Sequence, residues 1–397
     1  MQSSDPRHFF ESDAEVAKRE RRAAKSSNKL GNPISLKSKI LAAIPDPRAP
    51  SRSILVAEAA GCVRQVNLDS AYSPSQNPDE PSRPTYRGPT TPVCSVAVGG
   101  PNNGTLFAGC WDKTIWSWDL ATRVPGRKFV GHSDFVKAVV CATVGGKHVL
   151  ISGGADKKII VWDVVTGQRL HTLQDSAVNM LSVQDLMVDV EASTKDEISL
   201  VSASSDPHIR RWKIRLDGWE RVPDQSESGP GIILEHETTV YRLLLDQTGD
   251  DVDLWTASGD GTAKCLSRAK GFAVEDTITH GDHVRAVAVT DQWVITAGRD
   301  EDVKVWDRAS GKLQCSLVGH YDEVIDLVVL DGGARVCSVS LDGTVRIWQL
   351  DQAGLDKAVK DQEKWAAGEQ EKKEEAPASL LSPEEEAELA ALMEEDD

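Results

Sequence analysis

Between Ile34 and Leu350 the apolar residues fall in short β-rich runs separated by polar turns, with no run of helical length and period. This is the pattern of strands joined by hairpins. Residues 131–173 show it most clearly. Gly131-His132 opens the stretch, two apolar runs flank a polar turn at Ala155-Asp156-Lys157-Lys158, and Trp162-Asp163 closes the second run. Each run is too short to bury its own faces, so the unit is predicted to stack on copies of itself.

Spacing identifies the copies. Ser152 lies four residues before Asp156 and Trp162 six after it. A hairpin turning at Asp156 therefore places a hydroxyl, a carboxylate and an indole on neighbouring strands, with His132 within reach. A histidine donating to the aspartate, with the hydroxyl linking it to the indole N–H, would satisfy polar groups that are costly to bury unpaired. The same set recurs as His280, Thr296, Asp300 and Trp306, and as His320, Ser338, Asp342 and Trp348. Partial copies keep Asp112 and Trp118, with Pro89 and Ala108 in the histidine and hydroxyl positions; Ser202, Asp206 and Trp212 without a histidine; and His236, Thr256 and Asp260 with Leu266 in place of tryptophan. A seventh, degenerate copy, SILVAEAAGCVRQVNL, has Val66-Asn67 at the Trp-Asp position, and apolar packing must hold it.

Gly131, His132, Ser152, Asp156, Trp162 and Asp163 resemble the WD40 repeat. The resemblance implies an all-β, seven-bladed WD40 β-propeller over residues 32–350, with disordered or partly helical N- and C-terminal tails at 1–31 and 351–397. It implies that each tetrad ties one blade together. Ring closure then needs a terminal strand, because an open ring exposes two sheet edges; Asn32 to Leu36 is the candidate and residues 351–360 the rival. The resemblance also implies positions lining the upper face around the channel: Trp111, Phe135, Lys137, Tyr241, His283, Arg285 and Arg299.

Charge adds detail at the ends. The net charge is −17, with 16 acidic and 5 basic residues in 351–397. So acidic a chain is a poor nonspecific nucleic-acid binder. The Lys18-Arg19-Glu20-Arg21-Arg22 cluster resembles a nuclear localisation signal within a helix-compatible segment. Ser382-Pro383-Glu384-Glu385 is a helix start, predicting a short helix near 383–394 that is either a docking element or only transient. Seven cysteines without C-x-x-C spacing read as small buried hydrophobes of a reducing compartment. No apolar run reaches the roughly 18 residues of a membrane span. A cytoplasmic or nuclear location is expected, the basic cluster favouring the nucleus.

Repeated His, Ser/Thr and Asp invite a hydrolase interpretation, but the complete set occurs three times and its serines lie in strands rather than on a nucleophile elbow. No P-loop, G-x-G-x-x-G after a strand, or H-E-x-x-H is present. The expectation is a non-enzymatic scaffold without cofactor or metal, monomeric within a hetero-complex. Its partners would be proteins, including acidic or phosphorylated peptide segments. Two alternatives remain: a substrate receptor for a cullin-type ubiquitin ligase, for which Trp212-Lys213-Ile214-Arg215 keeps the family's arginine but not its aspartate, and a non-catalytic subunit of an RNA-modifying or RNA-processing assembly.

Overall fold

The computed structural model describes residues 13–69, 84–175, 179–222, 232–248 and 252–375. Their strands form seven antiparallel sheets arranged as the blades of a propeller. The reference blade runs Val136–Val144, Lys147–Gly154, Ile159–Asp163 and Arg169–Leu173 in simple up-and-down order. Its turn carries Lys157 at φ 64°, a left-handed position held by Gly261 and Gly343 in the fifth and seventh blades. Short loops of this kind make each blade a local folding unit, and apolar faces between blades supply the cohesion.

The degenerate first blade shows how packing replaces the polar network. Ile54, Val56 and Val66 are fully buried and share a cluster with Val339 and Val345 of the seventh blade. Burying one such side chain stabilises by about 1.5–3 kcal/mol relative to leaving it in water.

Every inner strand is irregular near its start. The ladder skips one residue between Ile40 and Ala42, Val93 and Ser95, Val136 and Ala138, Val183 and Asp185, Val240 and Arg242, Val284 and Ala286, and Val324 and Asp326. A β-bulge leaves the skipped residue unpaired and re-aims its side chain.

The N-terminal segment closes the ring. Strand β1, Ile34–Ser35, pairs antiparallel with Val345 and Thr344 as the outer strand of the seventh blade. Gly31 enables the approach: it sits at φ +67°, and a Cβ there would lie 2.7 Å from the Trp348 ring. The rival segment is helical. Helix α2, Gln352–Glu375, follows the last strand of that blade, with Asp351 capping it by accepting from the Gly354 amide at 3.2 Å. Residues past 350 are expected from composition to be a solvated tail, yet Leu355 is buried in a cluster with Trp293, Trp348 and Leu350. The surrounding Glu and Lys hide this apolar anchor. The helix expected near 383–394 lies outside the described residues.

A second helix, α1, covers Asp13–Ser26 and leads into β1. No helix of the described residues is long and apolar enough to cross a membrane.

Candidate functional site

The tetrads assemble as hydrogen-bonded chains. His132 places Nδ1 2.9 Å from Asp156 Oδ1 and Nε2 2.8 Å from Ser152 Oγ, while Trp162 Nε1 donates to that Oγ at 2.8 Å. One proton arrangement satisfies all four groups: the indole donates to the hydroxyl, the hydroxyl to Nε2, and Nδ1–H to the carboxylate. His320, Asp342, Ser338 and Trp348 repeat it at 2.8–2.9 Å. His280 turns its ring over, with Nδ1 on Thr296 at 2.8 Å, Nε2 on Asp300 at 3.0 Å, and Trp306 donating to Thr296 at 2.8 Å. His236 bridges Asp260 and Thr256 at 2.8 and 2.7 Å, without an indole. All four histidines are buried inside blades. Burial pushes the carboxyls of Asp260 and Asp300 up, but their bonds to His236 and Thr262, and to His280 and Lys304, outweigh it, leaving Asp300 at about 2 and Asp260 also below the usual range. In this geometry the polar groups buried within each blade satisfy one another.

Where the tetrad is incomplete, other donors take over. In the second blade Trp118 donates to the Arg87 carbonyl at 2.9 Å and Trp116 to Asp112 at 2.9 Å. In the fourth, Trp212 still donates to Ser202 at 2.8 Å, and buried Arg210 serves the missing histidine's aspartate, Asp206, at 3.0 Å. Arg210, like Trp116, Lys304 and Arg346, stands four residues after the turn aspartate. That recurrence is a legible signal that the His, Ser, Asp, Trp spacing alone overlooks.

The bulges build the channel wall. Leu41, Cys94, Lys137, Gln184, Tyr241, Arg285 and Ile325 are the skipped residues of the seven inner strands, and all seven line one cavity of about 700 Å³ on the face that carries the tetrad turns. Trp111 lines it as well. So Trp111, Lys137, Tyr241 and Arg285 come together as the sequence suggests. Phe135 is not among the lining residues but stacks on Trp111, ring centroids 5.0 Å apart, and both rings are exposed, at 36% and 43%. His283 and Arg299 stand outside the cavity, joined by the Arg299 amide donating to the His283 carbonyl at 3.0 Å. For Phe135 and His283 the bulge explains the division: of the two positions flanking the buried valine, only the skipped one turns inward.

Electrostatics single out one cation. Arg285 lies over the Tyr241 ring at 4.1 Å and pairs with Glu323 at 3.3 Å. Arg242 lies deeper, pairing with Asp326 at 3.1 Å and reaching Asp185 at 4.0 Å. Lys137 donates to the neutral amide of Gln184 at 3.1 Å and pairs with no carboxylate among the described residues. Burial lowers its pKa, and Arg285 nearby adds to the effect. The neighbouring Cys94 thiol donates to the Val136 carbonyl at 2.9 Å, and burial pushes it up to about 12, which keeps it inert. A half-desolvated ammonium without a counterion, beside open aromatic faces, suits an acidic group with an apolar neighbour.

Two other sequence candidates are engaged elsewhere. Arg21 and Lys25 of α1 bind the buried Glu301 at 2.9 and 3.2 Å, and Arg22 binds Asp322 at 2.5 Å. Half of the basic cluster thus anchors the helix on the upper rim. Glu301 occupies a left-handed turn position at φ 74°, where the fifth and seventh blades use glycine. Arg215 is held within its own blade by Glu197 at 2.5 Å and Glu220 at 3.5 Å.

Comparison with known proteins agrees with this architecture. The family model described as WD domain, G-beta repeat matches residues 81–119, 123–163, 274–307 and 311–349. An uncharacterized WD repeat-containing protein of Schizosaccharomyces pombe is 29% identical over 406 residues, covering 99% of this chain and all of that protein. Nuclear distribution protein PAC1 of Arthroderma otae is 29% identical over 280 residues, 68% of this chain and 52% of PAC1, so the chain spans about half the length of that relative. Among solved structures, the WD40 β-propeller domain of Doa1 superposes with a TM-score of 0.61 at 19% identity, over 82% of this chain and 97% of that one. The chain carries WD40 repeats, matched by the family model in these four segments, and folds as a seven-bladed β-propeller, a fold generally used as a scaffold for protein interaction.

Proposed function

We propose that this protein is a non-enzymatic adaptor that docks protein partners on its upper face, as a subunit of a larger complex. The observation that carries the proposal is Lys137: a half-buried ammonium, unpaired with any carboxylate among the described residues, in a cavity that also presents Trp111, Tyr241 and Arg285. A partner segment with a carboxylate or phosphate and an apolar neighbour would complete the Lys137 coordination and cover the Trp111–Phe135 stack. Tyrosine, tryptophan and arginine are the side chains on which interface energy concentrates. The tetrads hold the blades and take no part in chemistry. An intracellular setting, nuclear or cytoplasmic, fits seven unpaired cysteines, four of them buried.

The test is affinity purification of the full chain with mass spectrometry, followed by titration of the recovered partner at two ionic strengths. The proposal expects partners whose binding weakens with salt, since an acidic segment must approach Lys137 and Arg285 through solvent. Recovery of no specific partner, or binding that ignores both salt and the cavity residues, would count against it.

A further inference from the structure

Resting on that proposed docking role, we propose that the upper cavity has an occupant within this same chain: the acidic segment 384–397, EEEAELAALMEEDD, which competes with external partners. The direction of α2 is the first reason. The helix begins beside Leu350, at the lower end of the seventh blade, and Gln362 accepts from the Val318 amide at 3.3 Å, at the upper end of the sixth blade's outer strand. It therefore runs from the lower face to the upper face along the ring's outer wall. From Gln362 the remaining 13 residues to Glu375 carry it about 20 Å past that level at 1.5 Å per residue.

Reach is the second reason. The channel lies about three strand spacings, roughly 14 Å, inward from the outer strand. With about 10 Å added for the helix's own offset, the helix end lies about 31 Å from the cavity mouth, and residues 376–385, APASLLSPEE, can span about 35 Å when extended, which is enough to return there.

Chemistry is the third reason. Residues 376–397 contain eight carboxylates and no lysine or arginine, with Leu389, Leu392 and Met393 among them. That is the ligand class that Lys137 and Arg285 beside the Trp111–Phe135 stack would accept. Tethering supplies an effective concentration of about 1 mM, so a segment that binds in trans with a Kd of about 0.1 mM would occupy its own cavity about nine-tenths of the time.

The experiment uses the full chain and a fluorescent synthetic peptide of residues 384–397 as the probe. It compares wild type with a chain in which Glu384, Glu385, Glu386 and Glu388 are changed to Gln. The neutralised chain should bind the probe about tenfold more tightly, because its cavity is no longer self-occupied. Adding Lys137→Glu with Arg285→Glu should abolish binding in both backgrounds. Equal affinity of the wild-type and neutralised chains, with binding still lost on the Lys137/Arg285 reversal, would overturn self-occupancy while leaving the docking face standing. Absence of probe binding to either chain, or binding indifferent to that reversal, would also overturn it.

Discussion

Arg242 of the fifth blade spans the channel to Asp326 of the seventh, Nη2 to Oδ1 3.1 Å. On its other side Asp185 of the fourth blade approaches its Nε at 4.0 Å. These carboxylates also accept backbone amides of adjoining blades, Asp185 from Leu243 at 2.9 Å and Asp326 from Ala43 at 3.2 Å. One guanidinium thus ties three blades together at the base of the upper cavity. Arg242→Met should lower stability by about 2 kcal/mol, less than a sealed pair because Arg242 opens onto the channel. Burial pushes both carboxyls above their ordinary value, with Arg242 opposing it. Their folded-state pKa values therefore exceed the unfolded ones, so their ionisation costs stability as pH rises through that window. Without Arg242 the cost grows, and the variant's deficit should shrink between neutral pH and about pH 5. Denaturant melts across that range check both effects; a deficit independent of pH would show that Arg242 acts by packing alone.

The tetrad aspartates work in the opposite direction. Burial pushes Asp156 up, but its bonds to His132 and Ser133 bring the net value below 3.8. Such a group contributes stability above its unfolded pKa and loses it as pH falls through the folded value. Thermal stability should therefore fall below about pH 4. Asp156→Ala should cost about 1–3 kcal/mol at neutral pH by leaving His132 short of a partner. Chemical melts of this variant from pH 7 to 3 should converge on wild type as the carboxyl protonates; a constant offset would assign the loss to something other than charge.

Helix α1 should release when its cations are reversed. Arg21→Glu with Arg22→Glu places like charges against Glu301 and Asp322, which now hold those arginines. Limited trypsin digestion should then cut at Lys25 markedly faster than in wild type, while the blades stay resistant. Unchanged cleavage would mean that Asn28, which donates to the Gly319 carbonyl at 2.7 Å, holds the segment without the ion pairs.

Helix α2 should divide the acidic C-terminal region into a structural part and a dispensable part. Leu355→Ala removes a side chain only 1% exposed and should cost about 2–3 kcal/mol. Removing residues 376–397 should lower the melting temperature by no more than about three degrees, since a self-occupancy of about nine-tenths contributes only about 1.4 kcal/mol. Calorimetric melts of the two variants separate the effects; equal and large losses would place the distal segment in the fold.

The repeat was legible because its polar residues obey a strict spacing, and a tetrad at fixed intervals cannot arise from amphipathicity alone. Spacing alone places His132, Ser152, Asp156 and Trp162 together. Closure by Ile34–Ser35 was legible as one of two candidates, and it took the pairing with Thr344 and Val345 to decide. The bulges were not legible. A skipped residue leaves no mark in the alternation, so nothing in the sequence distinguishes Gln184, the partner of Lys137, or separates His283 from Arg285. Arg210 and Arg346 were hidden for a different reason: an arginine in a strand ordinarily reads as a solvent-facing residue, and only an acidic partner distant in sequence or a backbone carbonyl makes its burial affordable.

The upper face is tested most directly by comparing what co-purifies with three versions of the full chain: wild type, Lys137→Glu with Arg285→Glu, and a lower-face control, Gln247→Glu with Thr248→Glu, whose residues are exposed at the opposite mouth. Matched melting temperatures establish that all three are folded. The docking face proposed here predicts that the specific partners found with wild type persist in the lower-face control and are lost, more than about tenfold in abundance, from the Lys137/Arg285 variant. The reverse pattern, with partners retained on the reversed cavity and lost from the lower-face control, would contradict it.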